Sequence, residues 1–234
     1  HVPPVLVRSL VQRESAADLA EQYLAARGIR AAYWRGDDYH YNGKHYAPTT
    51  GGDLKAGINS FLQNTGNRRQ AGTKTAAEII ANIQAAALVP ADVEAPAMLL
   101  PSGAVPLAGP HIALADGILD VEKYLAGNPD ALKPHSFEYF FLNSLPYGFG
   151  DAAEKKCETW RRVLAENLPD PAYQNFLQEW FGLCCVPDTT FEHFMLFPGE
   201  AGTGKTLTCT VMRAMLGASA VSSVPLEAFN PSRT

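Results

Sequence analysis

Residues 199–206 read Gly199-Glu200-Ala201-Gly202-Thr203-Gly204-Lys205-Thr206, and this order matches the P-loop pattern G-x-x-x-x-G-K-[ST]. Glycines let such a loop turn tightly and direct successive backbone N–H groups toward one point, where they form a concave site for an anion. The helix that follows adds its free N–H groups and the positive end of its dipole. The motif predicts that residues 199–206 bind the phosphates of ATP, with Lys205 as the catalytic residue and Thr206 as a ligand of Mg²⁺.

The residues on either side of the motif fit the strand and the helix that a P-loop joins. Residues 194–197 form a short apolar and aromatic run, which is typical of a buried strand. After the motif, apolar side chains recur at helical spacing, and Gly217 stands where a C-terminal cap belongs; they are Leu207, Val211, Met212, Met215 and Leu216. These flanks disfavour the alternative, a glycine-rich turn with no ligand.

The composition indicates a globular protein. The chain has 234 residues, 47% of them hydrophobic, which is enough for one large domain or two small ones. No apolar run approaches the length of a membrane span, and no signal peptide is visible. The cysteines lack a metal-binding spacing; they are Cys157, Cys184, Cys185 and Cys209. We therefore expect a protein of a reducing cytoplasm.

The charge is unevenly distributed along the chain. The net charge is −5, but residues 1–75 carry ten basic against six acidic side chains, whereas residues 76–234 carry nine against eighteen. A modestly basic N-terminal part could contact nucleic-acid phosphates. Ordinary solvated charge is the alternative, and it is the reading we favour.

The first ninety residues predict three helices and a small β-meander. Helices are predicted over 15–27, over 53–63 and from a capping box at Thr75 to about residue 88. The meander covers 31–46, with a turn at 36–38 and an Asn42-Gly43 hairpin turn. Its aromatic side chains favour cross-strand packing over base stacking. No third ligand accompanies His40 and His45, so we predict no metal there.

The middle of the chain predicts short strands and then two helices. Five prolines in residues 90–110 indicate edge strands and turns, and strands follow at 112–114, 118–121 and 137–142. A helix is predicted over 152–167, with Trp160 and Leu164 inward. The next helix begins at Asp170 and Pro171, and its wide apolar stripe predicts a core face: Tyr173, Phe176, Leu177, Trp180, Phe181 and Cys184. A domain boundary is plausible near residues 187–188.

The order of these features resembles the phage and plasmid primase–helicase family, which includes the poxvirus primase–helicase. The resemblance covers nearly the whole chain. Only the P-loop is specific as a single motif, so the resemblance depends on the order in which the stretches follow one another. The successive stretches are Asp116-Gly117-Ile118-Leu119-Asp120, then residues 135–147 (HSFEYFFLNSLPY), then Leu177-Gln178-Glu179-Trp180-Phe181-Gly182, and then Phe197-Pro198-Gly199 with the P-loop.

The resemblance implies an α+β N-terminal module, with helices and a small β-meander, over residues 1–187. A helical segment would end this module, and the start of an α/β P-loop domain of the AAA+ type, belonging to a superfamily 3 helicase and truncated after the P-loop helix, would occupy 188–234. Such a protein is an ATP-dependent DNA helicase of a virus or mobile element, acting in DNA replication in the host-cell cytoplasm as a hexamer on single-stranded or forked DNA.

Only the P-loop residues carry over from that family one by one. The acidic second motif, the sensor asparagine and the arginine finger would lie after residue 234, and no primase carboxylate cluster is visible. We therefore expect this chain alone to lack ATP turnover, and residues after about 187 to be poorly ordered or self-associating. Two other readings stay open: another P-loop enzyme such as a small-molecule kinase, and a non-catalytic assembly or DNA-binding module.

Overall fold

A computed structural model describes residues 14–152, 156–188, 190, 192–225 and 228. These residues divide into two compact units, of which the first contains 14–41 and 48–90 and the second contains 42–47 and the residues from 91 onward. Both units combine helices with small antiparallel sheets. The predicted α+β class is therefore confirmed. Among the described residues, no helix is long and apolar enough to cross a membrane.

The first unit is built around three helices, α1 (Ala16–Arg27), α2 (Gly51–Asn64) and α3 (Thr73–Ala86). The predicted capping box of α1 is present, because Ser15 and Asp18 exchange their side-chain and backbone hydrogen bonds, and Gly28 ends the helix in the left-handed conformation. The three helices bury one apolar cluster: Leu19, Ala20, Tyr23, Ile58, Phe61, Leu62, Ala76, Ile79 and Ile83.

The predicted N-cap of α3 is wrong by three residues, and its predicted end is wrong by two. The helix begins at Thr73, and Gly72 is its N-cap without any side-chain cap. The Gly72 N–H instead donates to Oδ1 of Asn59 on α2, at 3.0 Å, so a tertiary contact replaces the capping box predicted at Thr75. At the other end, the Ala87 carbonyl accepts from the N–H of Tyr33 at 2.8 Å, which draws the chain out of the helix.

The predicted meander is a three-stranded sheet in the order β1 (Ala31–Trp34), β2 (Asp37–Tyr41) and β3 (Tyr46–Thr49). Strands β1 and β2 are antiparallel, and Trp34 pairs with Asp37, so the first turn is one residue earlier than predicted. The second turn contains Asn42-Gly43 as predicted, and Oδ1 of Asn42 accepts from the N–H groups of Lys44 and His45, both at 3.0 Å. The turn extends to His45, however, so the last strand begins at Tyr46, where the predicted meander ended. Trp34 is buried beside Tyr39, which supports a packing role.

The second unit contains two further three-stranded sheets. The first has the order β5-β4-β9, from β4 (Ala97–Leu100), β5 (Gly103–Pro106) and β9 (Tyr139–Phe140). The second has the order β6-β7-β8, from β6 (His111–Ala113), β7 (Ile118–Asp120) and β8 (Leu132–Lys133), and the short helix α4 (Val121–Leu125) follows β7. The proline-rich region thus forms short strands, as predicted, whereas the strand predicted over 137–142 is only two residues long.

A buried carboxylate at the end of β7 holds this second sheet to α4. Oδ2 of Asp120 lies 3.2 Å from Nζ of Lys123 and 3.6 Å from Nε2 of His111, and its Oδ1 accepts from the Lys123 N–H at 3.1 Å. Burial raises the pKa of Asp120, but the hydrogen bonds from Lys123 and the charges of His111 and Lys123 outweigh it, so the pKa lies below its usual value.

Three longer helices complete the second unit: α5 (Glu158–Asn167), α6 (Pro171–Cys185) and α7 (Lys205–Leu216). The Asp170 cap of α6 is confirmed, since its side chain accepts from the Ala172 N–H. Helix α5 begins at residue 158, later than predicted, and residues 153–155 lie outside the described residues.

The apolar stripe of α6 is only partly a core face. Leu177 and Phe181 are buried, and Phe181 stacks on Trp160 with ring centroids 6.3 Å apart. Tyr173 and Phe176, however, are 62% and 56% exposed, so their predicted place in the core is wrong. The helix packs through Leu177 and Phe181, whereas the aromatic rings of its first two turns are more than half exposed.

We predict that Phe181→Ala destabilises the protein by about 3–5 kcal/mol, because it leaves a cavity beside Trp160. Phe176→Ala, on the same helix, should cost less than about 1 kcal/mol since the ring is largely in solvent. Urea unfolding of both variants measures the difference. Equal losses would contradict the assignment of the buried face.

We further predict that Asp120→Asn lowers the free energy of unfolding at neutral pH, while asparagine still caps α4. A lowered pKa gives stability that is present above the unfolded value of about 4 and is lost as the pH falls through the folded value. The difference between wild type and variant should therefore shrink below about pH 4 in urea titrations. Asp130→Asn, which removes an exposed carboxylate elsewhere in the same unit, is the control.

Candidate phosphate-binding loop

The glycine-rich motif forms a loop that leads directly into α7. Gly199, Gly202 and Gly204 have φ angles of 149°, 86° and 79°, a region that side chains with a Cβ rarely adopt. The spacing of the glycines in the motif therefore has a conformational reason. Glu200, Ala201 and Thr203 occupy the intervening positions, and all three are exposed.

The N-terminus of α7 has no capping side chain. Gly204 is the N-cap and provides no side-chain hydrogen bond. The first bond into the helix runs from the Thr208 N–H to the Gly204 carbonyl at 2.9 Å, so the geometry of an α-helix leaves the N–H groups of residues 205–207 without a helical acceptor. These donors and the positive end of the helix dipole favour an anion at this position.

The Lys205 side chain reaches back from the first turn of α7 into the loop. Its Nζ donates to the carbonyl oxygens of Gly199 at 2.8 Å and Glu200 at 2.6 Å, and to Oγ1 of Thr203 at 3.1 Å. The Thr203 hydroxyl itself donates to the Glu200 carbonyl at 2.9 Å. All three donors of the ammonium group are thus directed at loop oxygens, and a full positive charge is held inside the loop.

Thr206, the predicted Mg²⁺ ligand, is exposed in the first turn of α7. Among the described residues there is no group of three His, Cys, Asp or Glu side chains that could hold a metal ion.

The strand predicted before the motif is absent. Residues 192–200 contain no regular element, and Phe194 and Leu196 are 79% and 75% exposed. A strand requires a neighbour for its backbone groups, and no described strand pairs with this segment. Met195 and Phe197, at the intervening positions, are half-buried.

A cavity of about 570 Å³ lies beside the loop within the second unit. Its wall comes from α5, α6 and the segment before the motif, and four aromatic side chains line it: Trp160, Tyr173, Phe176 and Phe197. Gly199, Thr203 and Lys205 line the same cavity. The cavity could not be predicted from the sequence, because helical spacing shows that one side of a helix is apolar but does not show what faces it.

Asn167, the last residue of α5, is a second feature that the sequence did not reveal. A Cβ placed on Gly204 would lie 3.1 Å from its Nδ2, and this nitrogen donates to the Val163 carbonyl at 3.0 Å. The end of α5 thus rests against the last glycine of the loop. No signal in the sequence pairs Asn167 with Gly204, since they are distant along the chain.

No protein-family model matches the chain, and a search of curated proteins also found no match.

We predict that Gly204→Ala costs about 1–2 kcal/mol for the left-handed backbone and a further loss from the contact with Asn167. Gly202→Ala is the matched control, because its φ is similarly positive but nothing lies within 4 Å of the added Cβ. Thermal unfolding should show the larger loss for residue 204, and Asn167→Ala should remove the excess. Equal losses at both glycines would show that Asn167 does not constrain the loop.

Proposed function

We propose that residues 199–206 bind the phosphates of ATP, and that the chain is part of an ATP-dependent DNA helicase that acts in the replication of a virus or mobile element. The observation that carries the proposal is the position of the Lys205 ammonium group, which lies among the oxygens of a three-glycine loop at an uncapped helix start. A phosphate chain is the ligand that this arrangement suits best, because it is multiply charged and rich in acceptors.

The loop offers two of the kinds of group that stabilise phosphate charge in phosphoryl transfer. Backbone N–H groups at the start of α7 and the Lys205 charge would bind the β- and γ-phosphates, and both are fixed before the ligand arrives. Lys205 would exchange a bond to a loop carbonyl for a bond to a phosphate oxygen, so its charge moves little on binding. Mg²⁺, held by Thr206 and the phosphates, would neutralise the remaining charge.

The helicase part of the proposal is supported by the order of features before the loop. The DGILD stretch forms β7 and the capped start of α4, and the stretch around residues 177–182 lies in α6, the helix next along the chain before the motif. This is the order that the primase–helicase family shows. We therefore propose that residues 188–234 begin the P-loop domain, after a preceding module over 1–187, and that DNA and further copies of the protein, in a hexamer, are its partners in the host-cell cytoplasm.

We predict that Lys205→Ala weakens ATP binding to this chain by roughly tenfold to a hundredfold, the range expected for loss of a charged hydrogen bond. Isothermal titration with Mg·ATP measures the effect, and in the full-length protein the same change should abolish ATP hydrolysis. Lys74→Ala removes an exposed lysine in the first turn of α3 and should leave the affinity unchanged. Normal binding by the Lys205 variant would rule out the phosphate site.

We also predict that single-stranded DNA stimulates ATP hydrolysis by the full-length protein, because a helicase couples ATP hydrolysis to movement along DNA. The initial rate of phosphate release, measured with and without an unstructured oligonucleotide, tests this. A small-molecule kinase would show no stimulation, and an assembly module would show no turnover in either condition.

A further inference from the structure

We propose that the cavity beside the loop binds the base of the same nucleotide, and that this base is a purine. The inference rests on the proposed phosphate site and adds to it the part of the ligand that the loop cannot recognise. It is carried by the continuity of one cavity, which has loop residues in one part of its wall and aromatic rings of α5 and α6 in another.

The size and lining of the cavity fit a nucleotide. A volume of about 570 Å³ lies within the range of roughly 300–1,000 Å³ that small-molecule sites occupy. Gly199, Thr203 and Lys205 contribute the polar and charged groups, whereas the side chains from α5 and α6 are almost all apolar. A ligand that is charged at one end and flat and weakly polar at the other satisfies both parts of the wall.

The aromatic side chains are the type that binds a base. Trp160 is held by its stacked partner Phe181, with 15° between the ring planes, so its orientation is set before any ligand enters. Tyr173 and Phe176 lie on successive turns of α6 and remain more than half exposed. Large aromatic rings left uncovered beside a charged loop gain the most from a flat ligand that removes them from water.

A purine fits these rings better than a pyrimidine. Stacking energy increases with the area of overlap, and the two fused rings of a purine cover more of an aromatic face than one ring does. The wall carries few polar side chains, so we expect the base to be held mainly by stacking, with modest discrimination between adenine and guanine.

The experiment compares ATP, CTP and inorganic tripolyphosphate, each with Mg²⁺, by titration calorimetry on the 234-residue chain. Tripolyphosphate carries the phosphates without a base. The wild type should bind ATP at least about tenfold more tightly than tripolyphosphate, since one stacked base contributes about that factor, and more tightly than CTP. Equal affinity for ATP and tripolyphosphate would overturn the base site while leaving the phosphate site intact, and equal affinity for ATP and CTP would overturn the preference for a purine.

A double variant, Tyr173→Ala with Phe176→Ala, tests whether these two rings bind the base. Both side chains are exposed and alanine favours helix, so the variant should fold, which circular dichroism verifies. It should bind ATP about tenfold more weakly and bind tripolyphosphate as the wild type does. Tyr173→Phe, which keeps the ring, should retain affinity for ATP.

Two controls separate this inference from the proposed function. Tyr124→Ala removes an exposed ring outside the cavity and should leave the affinities for ATP and for tripolyphosphate unchanged. Lys205→Ala should weaken ATP and tripolyphosphate alike. If the double variant loses no more affinity for ATP than Tyr124→Ala does, the base site is wrong, and if the wild type binds neither ligand, both proposals are wrong.

Discussion

The hydrogen bonds of Lys205 join the first turn of α7 to the beginning of the glycine-rich loop, and the local structure depends on them. An ammonium group has donors only, so the loop must turn carbonyl oxygens toward it, at 2.8 Å from Gly199 and 2.6 Å from Glu200. That turn is sterically open only if the chain can adopt positive φ angles, which the glycines permit. The conformation of the loop therefore depends on the Lys205 charge and on the glycines together, because removal of either would let the loop move away from the start of the helix.

The rest of the second unit fixes α7 in place. At its C-terminal end, Leu216 packs on the cluster formed by Leu114, Leu119, Ala131 and Leu145, and the Leu216 carbonyl accepts from the Asn143 amide at 3.4 Å. At its N-terminal end, Asn167 stands against Gly204. A helix held at both ends can keep its free N–H groups directed at one point, which is the preorganisation that binding and stabilisation of phosphate charge require.

The features that the sequence predicted well are those determined by neighbouring residues. The Ser15 capping box, the Asp170 cap, the Asn42-Gly43 turn and the glycine-rich entry to α7 each need only a few adjacent side chains and a backbone conformation. The errors arose where distant residues decide. The start of α3 is set by Asn59 from another helix, and residues 194–197 do not form a strand because no described strand pairs with them. The contact between Asn167 and Gly204 is of the same kind.

The stripe on α6 shows why the candidate site was harder to predict than the loop. Helical spacing alone predicts the same burial for Tyr173, Phe176, Leu177 and Phe181. In the structure Leu177 and Phe181 are buried, whereas Tyr173 and Phe176 are more than half exposed and line the cavity beside the loop. An apolar helix face is stabilised equally by a neighbouring element or by a ligand that covers it, so periodicity cannot separate core from binding wall. What separates them is the neighbour: Phe181 stacks on Trp160 of α5, whereas Tyr173 and Phe176 remain more than half exposed. The role proposed for those two rings follows from their place in one cavity with Lys205, and that arrangement exists only after the chain has folded.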